Sequence, residues 1–114
     1  MDDCIFCKII KKKIPGDIIY EDDEAICFND INQQAPIHFL IVPKKHIPTV
    51  QDLSESDNNL VSHLFSVANA LSRQKNIADR GFRVAINCRD DGGQTVNHLH
   101  IHLLGGRFMK WPPG

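Results

Sequence analysis

The stretch that most constrains this chain is His98-Leu99-His100-Ile101-His102-Leu103-Leu104, closed by Gly105-Gly106. Polar and apolar residues alternate with a period of two, the pattern of a half-buried strand. His98, His100 and His102 therefore share one face, and Leu99, Ile101 and Leu103 share the other. A strand of this kind needs a sheet around it and a core beneath its aliphatic face. Imidazole titrates near neutrality, at about pH 6.5, so each histidine in the row is a potential nucleophile, proton carrier or metal ligand.

The rest of the chain supplies that sheet. Residues 4–13 carry Ile5, Phe6, Ile9 and Ile10 at helical spacing, and Pro15-Gly16 ends the helix. Two short strands follow, 18–21 and 25–29, joined by an acidic turn. A third, 38–42, enters through Ala35-Pro36 and stops at Pro43. Ser54 and Asp57 open a helix running to about residue 75, with Leu60, Val61, Leu64, Phe65, Ala68 and Leu71 as its apolar stripe. His63 falls off that stripe and reads as solvent-exposed. Residues 82–88 alternate again, and the Asp90-Asp91-Gly92-Gly93 connection makes them the antiparallel partner of the histidine strand, with Asn87 on the histidine face. Strands in succession with one long helix packed on them describe an α+β meander rather than a doubly wound fold. A length of 114 residues with no repeat or linker predicts one domain, 1–114.

A net charge of -1 gives no electrostatic case for nucleic-acid or membrane binding. The opening Met1-Asp2-Asp3 and the absence of a long apolar run predict a cytoplasmic chain, in which Cys4, Cys7, Cys27 and Cys88 are thiols or metal ligands rather than disulfides. Phosphate is the ligand that best fits the histidine row. Gly92-Gly93 and Gly105-Gly106 bracket the row with free backbone N–H groups, and Asn87, Gln94 and Thr95 add amide and hydroxyl donors. A neutral imidazole with one nitrogen held by a hydrogen bond offers a lone pair at the other and attacks phosphorus without a separate base. The competing use of the same residues is a catalytic zinc site with three histidine ligands. A CxxC pair such as Cys4-Ile5-Phe6-Cys7 is a redox couple or half a zinc site, and no strand precedes it as a thioredoxin-like motif requires.

The motif HLHIHLL resembles the signature of the histidine triad family. IFCKII, FNDINQQAPIHFLIVPKKHI, DGGQTVNHLHIHLLGGR and the terminal WPPG extend the likeness, nearly end to end, to its Hint branch of purine nucleoside phosphoramidases. The resemblance implies a five-stranded antiparallel sheet with one long and one short helix, and a homodimer joining two sheets. It also implies hydrolysis of nucleoside phosphoramidates or aminoacyl adenylates through a nucleotidyl-histidine, with a purine nucleotide as ligand.

Carried onto this chain, His100 is the nucleophile. His102 contacts the phosphate, His38 lies near the leaving group, and Thr95, which stands where a serine is common, and Asn87 hold phosphate or leaving-group atoms. Asp30 accepts from the ribose hydroxyls; read without the resemblance, it is an Asx turn before Asn32. Ile5, Phe6, Ile9, Phe28 and Ile31 form the purine pocket, which by pattern alone is core, and Gln94 and Trp111 complete the nucleotide-binding set. The CxxC resembles that of bacterial relatives with a structural zinc, which implies Cys4, Cys7, His46 and His98 as ligands and a catalytic step that needs no metal. A nucleotide-binding regulatory module with vestigial chemistry is the alternative from a different functional class.

Overall fold

The computed structural model describes residues 3–114. Its elements are α1 (Ile5–Ile10), β1 (Ile18–Glu21), β2 (Ala25–Asn29), β3 (Ile37–Pro43), α2 (Asn58–Gln74), β4 (Phe82–Ala85), α3 (Arg89–Gly92) and β5 (Ile101–Gly105). The five strands form one sheet in the order β1-β2-β3-β5-β4, and every neighbouring pair is antiparallel. This is the expected α+β architecture with its one long and one short helix, to which the four-residue α3 is added.

Alternation sorts the sheet into two faces. Ala25, Cys27, Phe39, Ile41, Leu99, Ile101 and Leu103 point to the face covered by α2, which contributes Leu64, Val67, Ala68 and Leu71. The opposite face carries Ile26, Phe28, Leu40 and Val42, covered in part by Phe6 and Ile9 of α1. Register places Leu40 opposite His102 and Ile41 opposite Ile101, so the histidines belong to this second face.

The departures from expectation have local causes. Helix α1 is six residues long rather than ten, because Lys12 at φ 62 turns the chain back. The Ser54–Asp57 capping box forms, yet it closes only a 3-10 turn at Glu55–Asp57 before α2 begins. Phe65 is exposed and Val67 takes its expected place in the core. His63 is not a free surface group: its Nε2 lies 2.6 Å from Asp22 Oδ2 and ties α2 to the β1–β2 turn. The strand expected at 82–88 stops at Ala85, and Asp90–Gly92 lie in α3, which ends at Gly93 with φ +79.

The histidine stretch enters the ladder only at Ile101. Upstream, the Leu99 N–H donates to Ile47 O at 2.6 Å, and the segment is held by this bond and by side chains. Gly105-Gly106 sits at the far end of β5 from His100 and does not serve the site. A Cβ at Gly105 would lie 2.6 Å from Ile77 Cδ1, and Gly106, at φ +92, lies against Pro36.

Candidate functional site

Hydrogen-bond partners assign the imidazole tautomers. His98 Nε2 is 2.8 Å from Pro43 O, and a carbonyl only accepts, so Nε2 carries the proton and Nδ1 is left with a lone pair. His100 Nδ1 is 2.7 Å from His98 O, which by the same logic puts the proton on Nδ1 and the lone pair on Nε2. His38 Nδ1 accepts from the Gln34 backbone N–H at 3.1 Å, so its Nε2–H donates, to His102 Nδ1 at 2.9 Å. His102 is thereby left with a donor at Nε2. Alternate residues of one row end in opposite proton states, fixed by main-chain groups.

Burial disfavours the charged form of His38, His98 and His102. Desolvation lowers the His38 pKa against the opposing charge of Asp30. Burial also lowers His102, to about 4, helped by His100 and His38 and opposed by Asp30. His100 is buried between ring edges, with Phe6 at 5.1 Å and 87° and His102 at 5.1 Å and 61° between planes. Phe6 also abuts His98 and Phe28, so it forms the packed rear wall of the row.

Asp30 combines two roles. Its Oδ1 accepts from Asn32 N at 2.9 Å, the Asx turn, while Oδ2 lies 3.3 Å from His38 Nε2 and 4.0 Å from His102 Nδ1. A carboxylate at the end of β2 is thus joined to histidines of β3 and β5.

A second cluster lies at the other end of the row. His98 Nδ1 is 3.4 Å from Cys4 Sγ, 3.6 Å from Cys7 Sγ and 3.1 Å from His46 Nδ1, and Cys7 Sγ is 3.3 Å from His46 Nδ1. A tetrahedral ion with Zn–N near 2.05 Å and Zn–S near 2.3 Å would set such donor pairs about 3.3 to 3.8 Å apart. The donor set and the spacing fit a metal ion, and these four residues could hold one. His98 therefore turns its free nitrogen towards the cysteines, away from a site shared with His100 and His102. The three-histidine metal centre expected as an alternative does not assemble.

The remaining expected residues divide. Phe6, Ile9 and Phe28 are buried together, whereas Ile5 is half exposed and Ile31 and Trp111 stand in solvent. Thr95 is exposed on a cleft it shares with Cys4, Ile5 and His46. Asn87 is half-buried, two residues beyond Ala85, where the pairing of β4 with His102 ends. Gln94 spends its amide on the main chain: Oε1 accepts from Arg89 N, and Nε2 donates to Pro48 O and Val96 O. Its visible role is to hold the loop that carries Thr95. The backbone amide of Gln34 leaves no periodic signal, and the helical spacing that marks Phe6 as apolar does not say that its ring walls His100.

Residues 3–111 match the family model described as scavenger mRNA decapping enzyme C-term binding. The chain is 46% identical over 113 residues to a HIT-like protein of Synechococcus elongatus, covering 99% of this chain and 98% of the relative. The crystal structure of a HIT family hydrolase from Legionella pneumophila is 44% identical and superposes with a TM-score of 0.97, covering 98% of this chain and all of that one. A histidine triad protein from Clostridium difficile is 45% identical with a TM-score of 0.93 and 96% coverage of each chain. The chain belongs to the histidine triad (HIT) family, and its Cys4–Cys7 pair fits the CxxC variant of that pattern.

Proposed function

We propose that this protein hydrolyses purine nucleoside phosphoramidates or aminoacyl adenylates by two displacements at the α-phosphorus, with His100 carrying the nucleotide between them. The observation that supports this most is the 2.7 Å bond from His100 Nδ1–H to the His98 carbonyl, which leaves Nε2 unprotonated and orients the ring. In the first step Nε2 bonds to phosphorus and the P–N bond breaks, or the P–O bond of an adenylate. The ring charge that develops is shared with the His98 carbonyl, and the departing amine takes a proton from a neighbouring donor. His102, with its proton on Nε2, contacts the phosphate, and His38 stands beside it near the leaving group. Asn87 and Thr95 donate to the phosphoryl oxygens, and Asp30 accepts from ribose. In the second step water attacks phosphorus and gives a proton to the group that protonated the amine, or to solvent where a carboxylate left, the His100–P bond breaks, and the nucleoside monophosphate leaves with a free imidazole.

Cys4, Cys7, His46 and His98 hold a structural zinc in this reading. Four protein ligands leave no position for a reacting water, so the metal contributes rigidity and the chemistry stays with the imidazoles. The protein acts in the cytoplasm as a homodimer. The outer edge of β4, which among the described residues has a strand partner on one side only, and the exposed Phe65 and Trp111 support that assembly. Sedimentation as a monomer at micromolar concentration would refute it.

The deciding experiment is a rapid quench with an adenosine phosphoramidate at mildly alkaline pH, followed by intact mass and peptide mapping, with His100→Ala and His102→Ala in parallel. A nucleotide adduct on His100 is expected. Losing the nucleophile costs more than the roughly 100- to 1000-fold typical of one lost oxyanion donor. Turnover of His100→Ala at a rate near that of the parent protein overturns the reading.

A further inference from the structure

The proton arrangement of the histidine row depends on a residue outside it. His102 keeps its proton on Nε2 because His38 donates to its Nδ1, and His38 donates because its own Nδ1 is occupied by the Gln34 N–H at 3.1 Å. Gln34 lies in the loop between β2 and β3, and that loop is held from the segment just beyond β5. Arg107 Nε donates to Gln34 O at 2.9 Å, and Arg107 Nη1 donates to Phe108 O at 2.9 Å, so one planar guanidinium grips loop and tail together. Beside it, the missing side chain of Gly106 lets Pro36 pack where a Cβ would come within 2.9 Å. Two independent contacts thus press the same loop onto the end of β5.

We propose that Arg107 is a positioning residue for the reaction: by holding Gln34 it keeps His38 in the Nε2–H tautomer and so keeps His102 a donor at Nε2. This rests on the reading of His102 and His38 as partners of the nucleophile. Without the guanidinium the loop keeps only the Gly106–Pro36 contact and the bond from Gln34 Nε2 to Asn32 O, so the Gln34 N–H leaves His38 in part of the population, and a buried Nδ1 that has lost its donor favours taking a proton itself. His38 Nε2 then turns a lone pair on His102 Nδ1. Two facing lone pairs repel, and the pair relaxes only if His102 moves its proton to Nδ1, which turns its Nε2 from donor to acceptor. Asp30 Oδ2, 3.3 Å from His38 Nε2, still favours the original tautomer, so the expected result is a mixture rather than a complete reversal.

The test uses the full chain labelled with nitrogen-15 histidine, since ring nitrogen shifts separate protonated from unprotonated nitrogens with no substrate present. In the parent protein His38 is expected to show Nε2 protonated and Nδ1 bare. In Arg107→Ala the His38 signals move towards the average of two tautomers, kcat falls about twofold in proportion to the population that loses its donor, and KM is unchanged. Arg107→Lys, which can still reach one carbonyl, recovers part of both effects. A parent His38 protonated on Nδ1 overturns the proposal, as does an Arg107→Ala protein whose His38 remains wholly Nε2–H, whatever its activity. Because the spectra need no turnover, failure of the nucleotidyl-histidine reading and failure of this one are separable.

Discussion

Replacing Cys4 by serine separates the metal cluster from the chemistry. Helix α1, at six residues, is far too short to stand alone and is held by what it buries. Ordering residues 3–10 costs about 8 kcal/mol at the low end of roughly 1 kcal/mol per residue. Burial of Phe6, Cys7 and Ile9 contributes about 5 to 6 kcal/mol. The few kcal/mol still required is what a crosslink through Cys4, Cys7, His46 and His98 would supply. Cys4→Ser should therefore release α1 and lower Tm by about 8 to 15 °C, at roughly 4 °C per kcal/mol for a domain of this size. Metal analysis should fall from one zinc per chain to near zero, and hydrogen exchange should quicken across residues 4–13. Turnover should drop by about tenfold, because releasing α1 takes the Phe6 wall from His100 while the His98 carbonyl still orients the ring. Zinc near zero in the parent protein refutes the metal. Abolished turnover with α1 still protected refutes the division of labour between metal and nucleophile.

Three further outcomes follow from particular contacts. Burial pushes the Asp22 carboxyl up, but the Tyr20 hydroxyl and His63 Nε2, both at 2.6 Å, and the N–H groups of Glu24 and Ala25 hold it well below the usual range. Its stabilisation is present above the unfolded value and is lost as pH falls through the lower folded one. Asp22→Asn should cost about 1 to 3 kcal/mol in urea titrations at pH 7 and flatten the acid limb, and an unchanged acid limb would count against it. Gly105→Ala, whose Cβ would also lie 3.1 Å from Ile77 Cβ, should destabilise by about 1 to 3 kcal/mol through overpacking; a melting temperature equal to the parent's would contradict this. His102, at about 4 when folded against an unfolded value of 6.5, binds its proton later than the unfolded chain does, so stability should fall as pH drops between those values. The same titration in His102→Gln should have a shallower slope over that window, and an equal slope would exclude His102 as the source.

Local period made most of the fold legible. Strands β1 and β2 match their expected spans, and the paired faces follow from alternation at Ile26, Phe28, Leu40 and Val42 against Cys27, Phe39 and Ile41. The CxxC pair and the histidine row were legible for the same reason, since their spacing is itself the signal. Helix α2 follows the expected stripe at Leu64, Ala68 and Leu71 and departs from it at Phe65, whose place Val67 takes; the two are two positions apart, and the choice between them belongs to the sheet beneath. Glycine misled where its chemistry is ambiguous. Gly105 fits a phosphate cradle and a close packing contact equally well on paper, and only the position of Ile77, far back in the chain, decides between them.

Proton placement lies a level deeper, because it is written in carbonyls and amides that every residue shares. Pro43 O assigns His98, His98 O assigns His100, and Gln34 N assigns His38. None of these atoms depends on side-chain identity, so no residue pattern reports them. Each is nevertheless produced by the fold. Pro43 ends β3 beside the incoming His98, and Gln34 is brought to His38 by the turn that Asp30 opens and Arg107 closes. The sheet that the histidine row demands is thus also what gives neighbouring imidazoles opposite proton states. A row of identical side chains can then present a bare Nδ1, a bare Nε2 and an Nε2–H donor in sequence.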